Sequence, residues 1–174
     1  MHARPNGSVN IVNNPDFSLF PVWKRGNLFE DFQAGQSFCH HWGRTLTAGD
    51  ATLFASVALR YCPLYINAEY AKTHGHDDLV VDPLLVLATV IGMSVEDLSE
   101  IGGPFLGVDE VEFGAPTYPN DTVTCTSEVV DKRESHSRPN LGIVTWRTKG
   151  VNQRGEVVVT YRRTNLVARR GVEV

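Results

Sequence analysis

The side chains with the most chemical capacity lie between positions 40 and 82. His40 and His41 are neighbours, so in an extended strand they point to opposite faces and cannot hold one metal together. Asp50 follows Thr47 by three residues at a helix start, where an acid reads as half of a capping box rather than as a catalyst. Cys62 has no local histidine arrangement to activate it as a nucleophile. His74, His76, Asp77 and Asp78 crowd a glycine-containing turn. Their spacing matches no standard ligand set, so they read as solvated turn residues and no metal is expected. Asp82 precedes Pro83, the pairing of an N-cap with a first-turn proline. A carboxylate there could also activate water or carry a proton. Small-molecule chemistry is therefore expected at the seam between the helical stretches of residues 44–92.

These groups need elements to hold them. Residues 36–44 read as a strand with Phe38, His40 and Trp42 on one face. A helix is expected over 47–59, burying Leu53, Phe54, Val57 and Ala58, and broken by Arg60-Tyr61-Cys62-Pro63. Asn67 caps a short helix over 68–73 that stops at Gly75. After Asp82-Pro83 the run LLVLATVIGM is apolar on every side, as expected of a central helix surrounded by protein. Its hydrophilic continuation SVEDLSEIGG exits to the surface and ends on Gly102-Gly103. Period-two patterning then marks strands over 105–114, 121–132, 141–151 and 156–168, separated by turn-forming residues. The fold class expected is α+β: a single domain with a curved, mostly antiparallel sheet wrapped around one buried helix. Residues 1–27 read as an N-terminal arm and 28–174 as the domain. Phe17, Leu19, Phe20, Val22 and Trp23 in the arm are expected to lie across the body or a second subunit.

At 174 residues the chain suits one domain with a full core. A formal charge of −4 argues against nucleic acid as a partner. The three cysteines are far apart and odd in number, which suits a reducing compartment and no disulfide framework. No apolar run is long enough to span a bilayer, and the N-terminus lacks a signal-peptide core, so no membrane partner and a cytoplasmic location are expected.

The order of strand, helical insert, buried helix and four antiparallel strands resembles the hotdog layout. The residues resemble the MaoC-like dehydratases, the family of R-specific enoyl-CoA hydratases. Arg44-Thr45-Leu46-Thr47 with Asp50 and Phe54 is similar to that family's entry into its overhanging helices. Pro63-Leu64-Tyr65-Ile66-Asn67 with Tyr70-Ala71 resembles its N-P-L-H-x-D-x-x-Y-A stretch, and Tyr118-Pro119-Asn120-Asp121-Thr122 its P-G-D-T turn. Asp131-Lys132-Arg133-Glu134-Ser135, Ser137-Arg138-Pro139 and Gly142-Ile143-Val144 resemble the branch of mesaconyl-CoA and itaconyl-CoA hydratases. The resemblance covers about residues 28–169. Two parts of the family pattern are changed. Arg60, Cys62 and Tyr65 stand where family hydratases carry the Asp, Asn and His of G-D-x-N-P-x-H. Asp82-Pro83 stands where they carry His-Gly, and proline has no N–H to polarise a thioester carbonyl.

What the resemblance implies is an acyl-CoA hydratase or dehydratase acting on an enoyl-CoA or 3-hydroxyacyl-CoA thioester, with a degenerate motif. Tyr65 and Asp82 are then the candidates for proton transfer. The N–H groups of Leu84 and Leu85 are candidates for the thioester oxygen, and Arg60 for a substrate carboxylate. The ordinary alternatives are a packed aromatic at Tyr65, a surface or interface cation at Arg60 and a plain cap at Asp82. Arg133, Arg138, Arg162 and Arg163 are candidates for the CoA phosphates. No cofactor is expected, the CoA thioester being substrate, and a homodimer or larger hotdog oligomer is the expected assembly. A non-catalytic acyl-CoA-binding or partner subunit is one alternative function, and an acyl-CoA thioesterase another.

Overall fold

A computed structural model describes residues 17–19 and 26–171. Phe20, Val22 and Trp23, expected to lie across the body, fall outside the described residues. Phe17–Leu19 forms one 3-10 turn with Leu19 exposed.

The domain begins with strands β1 (Ser37–Cys39) and β2 (Arg44–Thr45). Helices α1 (Ala48–Val57), α2 (Pro63–Ile66), α3 (Ala68–Thr73) and α4 (Pro83–Leu98) follow. Four long strands complete it: β3 (Gly102–Phe113), β4 (Thr122–Glu134), β5 (Leu141–Asn152) and β6 (Val157–Ala168). Every pairing is antiparallel, in the order β1-β4-β5-β6-β3, with β2 also on β4. The sheet lies against α4, which is the hotdog arrangement that the resemblance implies.

Local caps set the helix starts. Thr47 Oγ1 accepts from the Asp50 N–H at 3.1 Å and Asp50 Oδ2 accepts from the Thr47 N–H at 2.8 Å, the reciprocal capping box. Asn67 Oδ1 accepts from the Tyr70 N–H at 3.0 Å, and Gly75 turns the chain at φ +85°. The expected helix ends hold here because cap chemistry acts over three residues.

Four expectations are corrected. The strand expected over 36–44 is broken: Trp42 adopts φ +65° and is 78% exposed, on a different course from Phe38 and His40. His40 turns inward beneath α4, where Nδ1 meets Asp97 Oδ2 at 2.6 Å and Nε2 meets Ser127 Oγ at 2.8 Å. Those two bonds satisfy a buried imidazole. Helix α1 buries Ala51 and Ala55, and leaves Leu53 and Val57 exposed. Its small residues face the body and its large apolar face is left outward. Helix α4 is buried along one stripe only, at Val86, Val90, Ser94 and Leu98, while Leu84 is exposed. The i, i+4 spacing of that stripe is one helix face lying on the sheet. Gly102-Gly103, expected to end the helical exit, opens β3 instead.

The core falls into three clusters, the smallest formed by Leu141, Leu166 and Ala168. Val86 and Val90 of α4 pack with Val123, Cys125, Val159 and Tyr161, while Leu98 packs with Phe29, Phe32, Val129, Val144 and Trp146. Each fully buried aliphatic or aromatic side chain contributes about 1.5–3 kcal/mol relative to exposure.

A pocket between two helices and a strand end

The start of α4 is strapped on both sides. The Val80 N–H donates to Leu64 O of α2 at 3.0 Å, and the Val81 N–H donates to Thr117 O at 2.8 Å. Those bonds aim Asp82 inward, where it is 1% exposed. Its Oδ1 accepts from the Leu84 N–H at 2.8 Å, and its Oδ2 accepts from Arg60 Nε at 2.6 Å. One carboxylate thus caps the helix and holds an arginine. Arg60, whose side chain is 40% exposed, also stands over Tyr65, its guanidinium carbon 5.8 Å from the ring centroid. The hydrogen bond to Asp82, with that carboxylate's charge, pushes the guanidinium pKa further up. Burial raises the Tyr65 hydroxyl above its usual range, Asp82 adds to the rise, and Arg60 opposes it. A phenol is protonated at neutral pH in any case, so it is a donor rather than a base.

Tyr65 and Pro83 line a cavity of about 250 Å³ with Leu64, Val86, Phe113 and Thr117. Gly114 is in its wall because a methyl group there would overlap the Val157 carbonyl. His76 lines the same cavity. The sequence reading left it among solvated turn residues, but the turn at Gly75 points it inward while Asp77 and Asp78 stay exposed.

Three of the five predicted site residues, Arg60, Tyr65 and Asp82, are brought together. Leu84 and Leu85 are beside them, but their N–H groups are engaged: Leu84 with Asp82 Oδ1, and Leu85 with the Asp82 carbonyl at 2.9 Å. The free donors expected at the helix start are not there, because the cap that begins the helix uses them. Arg163 is corrected as a phosphate cation. It is buried under α4, 5.5 Å from the Trp146 ring, with longer contacts of 3.4 Å to Ile91 O and Ser99 Oγ. Ile91 lies in the middle of α4 and Ser99 caps its C-terminus, and burial lowers the pKa of the guanidinium. Arg162 is engaged by Glu110 at 2.6 Å.

Two other polar features lie away from this pocket. Asp97, His40 and Ser127 line up as acid, imidazole and hydroxyl, but Ser127 is buried and its hydroxyl is bonded to Thr148 at 2.7 Å. A nucleophile needs access, so this chain of bonds is core structure. A larger groove of about 490 Å³ runs between Trp42, Arg44 and α4, and holds none of the expected site residues. Among the described residues no group of three or more His, Cys, Asp or Glu is placed to hold a metal ion, and no helix is long and apolar enough to cross a membrane.

Known proteins share this chain's sequence pattern and fold. The family model for mesaconyl-CoA hydratase matches residues 21–173. The mesaconyl-CoA hydratase of Haloarcula hispanica is 43% identical over 148 residues, which are 84% of this chain and 41% of that protein. A solved MaoC domain protein of Chloroflexus aurantiacus superposes with a TM-score of 0.80 at 36% identity, covering 86% of this chain and 43% of that one. A Mycobacterium tuberculosis protein described as a double hotdog fold gives a TM-score of 0.78 over 86% of this chain and 46% of its own, at 22% identity, a likeness of fold alone. The chain spans about two-fifths of the length of the curated relative.

Proposed function

Because the chain belongs to the mesaconyl-CoA hydratase family, we propose that it adds water to, or removes it from, a CoA thioester whose acyl group carries a second carboxylate. The observation that carries this reading is Arg60. Its Nε is committed to buried Asp82, while the rest of the guanidinium stays accessible beside Tyr65, next to a mainly apolar pocket. That is how a planar cation is held still for bidentate carboxylate recognition. Tyr65 has the second role. Its phenol, protonated at neutral pH, donates to the thioester oxygen as negative charge builds there. This assignment gives Asp82 an anchoring role and leaves Leu84 and Leu85 as helix-capping donors. A second copy of this chain is the proposed partner, set against the outer edge of β3.

The test is a panel of mesaconyl-CoA, itaconyl-CoA and crotonyl-CoA, following both loss of the enoyl thioester and release of CoA thiol. Hydration without thiol release is the expected result. Arg60→Met should lower kcat/KM for the carboxylated thioesters about 30- to 100-fold, since a charged hydrogen bond is worth about 2–3 kcal/mol, and change crotonyl-CoA far less. Equal losses on all three would make Arg60 merely structural. Thiol release would replace the reading with a thioesterase. Tight binding of all three without turnover would favour a non-catalytic acyl-CoA-binding or partner subunit, the second reading, which Pro83 and the engaged Leu84 N–H support.

A further inference from the structure

We propose that His76 is the proton carrier of this pocket, taking over from the imidazole that the family pattern has where this chain has Tyr65; the inference rests on the hydratase reading above. Hydration needs a group that accepts a proton from water and returns one to carbon. Among the pocket-lining residues, Tyr65 is a phenol, protonated at neutral pH. Asp82, next to the pocket, has both carboxylate oxygens engaged, by the Leu84 N–H and by Arg60. His76 is the remaining titratable side chain that lines the cavity with Tyr65 and Pro83.

Its surroundings suit that task. The backbone bond from the His76 N–H to Ala71 O, at 3.1 Å, fixes the residue just past α3 and the Gly75 turn. Nδ1 meets the Tyr118 hydroxyl at 3.0 Å, and the two rings stand 6.1 Å apart at 60°. Nε2 has no hydrogen-bond partner among the described residues. A ring held at one nitrogen and open at the other is the arrangement of an oriented general base. Tyr118 is in turn fixed by its N–H donating to Asp121 Oδ2 at 2.9 Å. Burial raises the Tyr118 hydroxyl above its usual range. The neighbouring charges are Asp77 and Asp121, which add to that rise, and Arg154, which opposes it.

The step balances on these groups alone. The step uses the tautomer in which Nδ1–H donates to the Tyr118 oxygen, which leaves Nε2 free to accept a proton. Water places its oxygen on the β carbon of the enoyl thioester while one of its protons passes to Nε2. The electron pair of the double bond moves toward the thioester oxygen, which accepts a hydrogen bond from Tyr65. The imidazolium then returns the proton from Nε2 to the α carbon, and the ring ends neutral. Dehydration is the same sequence reversed.

The experiment is steady-state hydration of mesaconyl-CoA by the full chain and by His76→Asn, with melting temperature and thioester binding measured on both. The expected result is a fall in kcat of at least about 100-fold, in the range general acid–base catalysis supplies. KM and the melting temperature should change little, a pH-dependent limb of kcat/KM should disappear, and imidazole should partly rescue His76→Ala. Tyr118→Phe should shift that limb and lower kcat less. If wild type hydrates the thioester and His76→Asn does so equally well, this assignment is overturned and the hydratase reading stands. If wild type turns over no thioester, both fall. Should His76→Asn not fold, His76→Gln and the Tyr118→Phe pH profile decide the matter by the same criteria.

Discussion

Asp121 does with one carboxylate, at the turn before β4, what Asp82 does at the start of α4. It accepts from Arg154 at 2.8 and 3.1 Å, from Gln153 at 2.6 Å and from the Tyr118 N–H at 2.9 Å. Burial alone would raise its pKa; the hydrogen bonds from Arg154, the Tyr118 N–H and Gln153 outweigh that and hold it below the usual carboxylate value. A depressed carboxylate stabilises the fold above its unfolded pKa, about 3.9, and that stability is lost as pH falls through the lower folded value. Asp121→Asn should therefore cost about 1–3 kcal/mol at neutral pH, by loss of charged hydrogen bonds. The gap in melting temperature should close as pH falls below about 4; a gap of constant size down to pH 2 would assign the effect to another group. At this scale the sequence was legible where chemistry is local. Thr47, Asn67 and Asp82 are caps because their partners lie two or three residues away. His76 and Arg163 were not legible. Whether a turn histidine faces a cavity, or a strand arginine lies under a helix, depends on elements 40 to 70 residues distant.

Among elements, close approach decides more than propensity. The 3-10 turn Phe29–Asp31 lays the Phe29 ring directly on Gly142 of β5, where any Cβ would overlap it. Lys132 closes the other side, its ammonium 4.5 Å from the same ring and 2.6 Å from the Phe32 carbonyl oxygen. Gly142→Ala should cost about 1–3 kcal/mol by overpacking, and Phe29→Ala about 3–5 kcal/mol by cavity formation. Urea denaturation of the double variant should show a loss clearly smaller than the sum, because the alanine methyl occupies space that the ring has left. Strict additivity would mean that the two sites do not share that contact. The long strands were legible because alternation survives along β4, whose Val123, Cys125, Ser127 and Val129 all face the core. The break between β1 and β2 was not, since alternation through 36–44 continues in the residue types although β1 ends at Cys39 and Trp42 turns at φ +65°.

At the scale of the molecule, the apolar residues that this chain leaves outside are too many and too grouped to be incidental. Among the described residues strand β3 is bonded on one side only, to β6, and presents Phe105, Leu106, Val111 and Phe113 to solvent along a 12-residue edge. On the helical side Leu53, Val57, Leu59, Tyr61 and Ile66 are exposed. A long apolar edge strand is a template for pairing unless something covers it, and contiguous apolar patches of this kind mark interaction surfaces. Leu53 and Val57 have the spacing of buried residues yet are exposed; patterning reports that a residue wants to be covered, not which molecule covers it. The described residues contain no element over these faces, and the solved relative of 36% identity is a chain more than twice as long as the part this one matches. A second copy meeting along β3 would extend the sheet and cover the aromatic edge, with Phe113 and the neighbouring pocket wall close to the junction. Sedimentation equilibrium at micromolar concentration should therefore give at least twice the chain mass. Leu106→Glu should shift it toward one chain mass while leaving the helical content unchanged. Because Phe113 lines the pocket, the same variant should raise KM for the thioester. A wild-type chain that sediments as a monomer and still hydrates its substrate would show that the site is complete without a second copy.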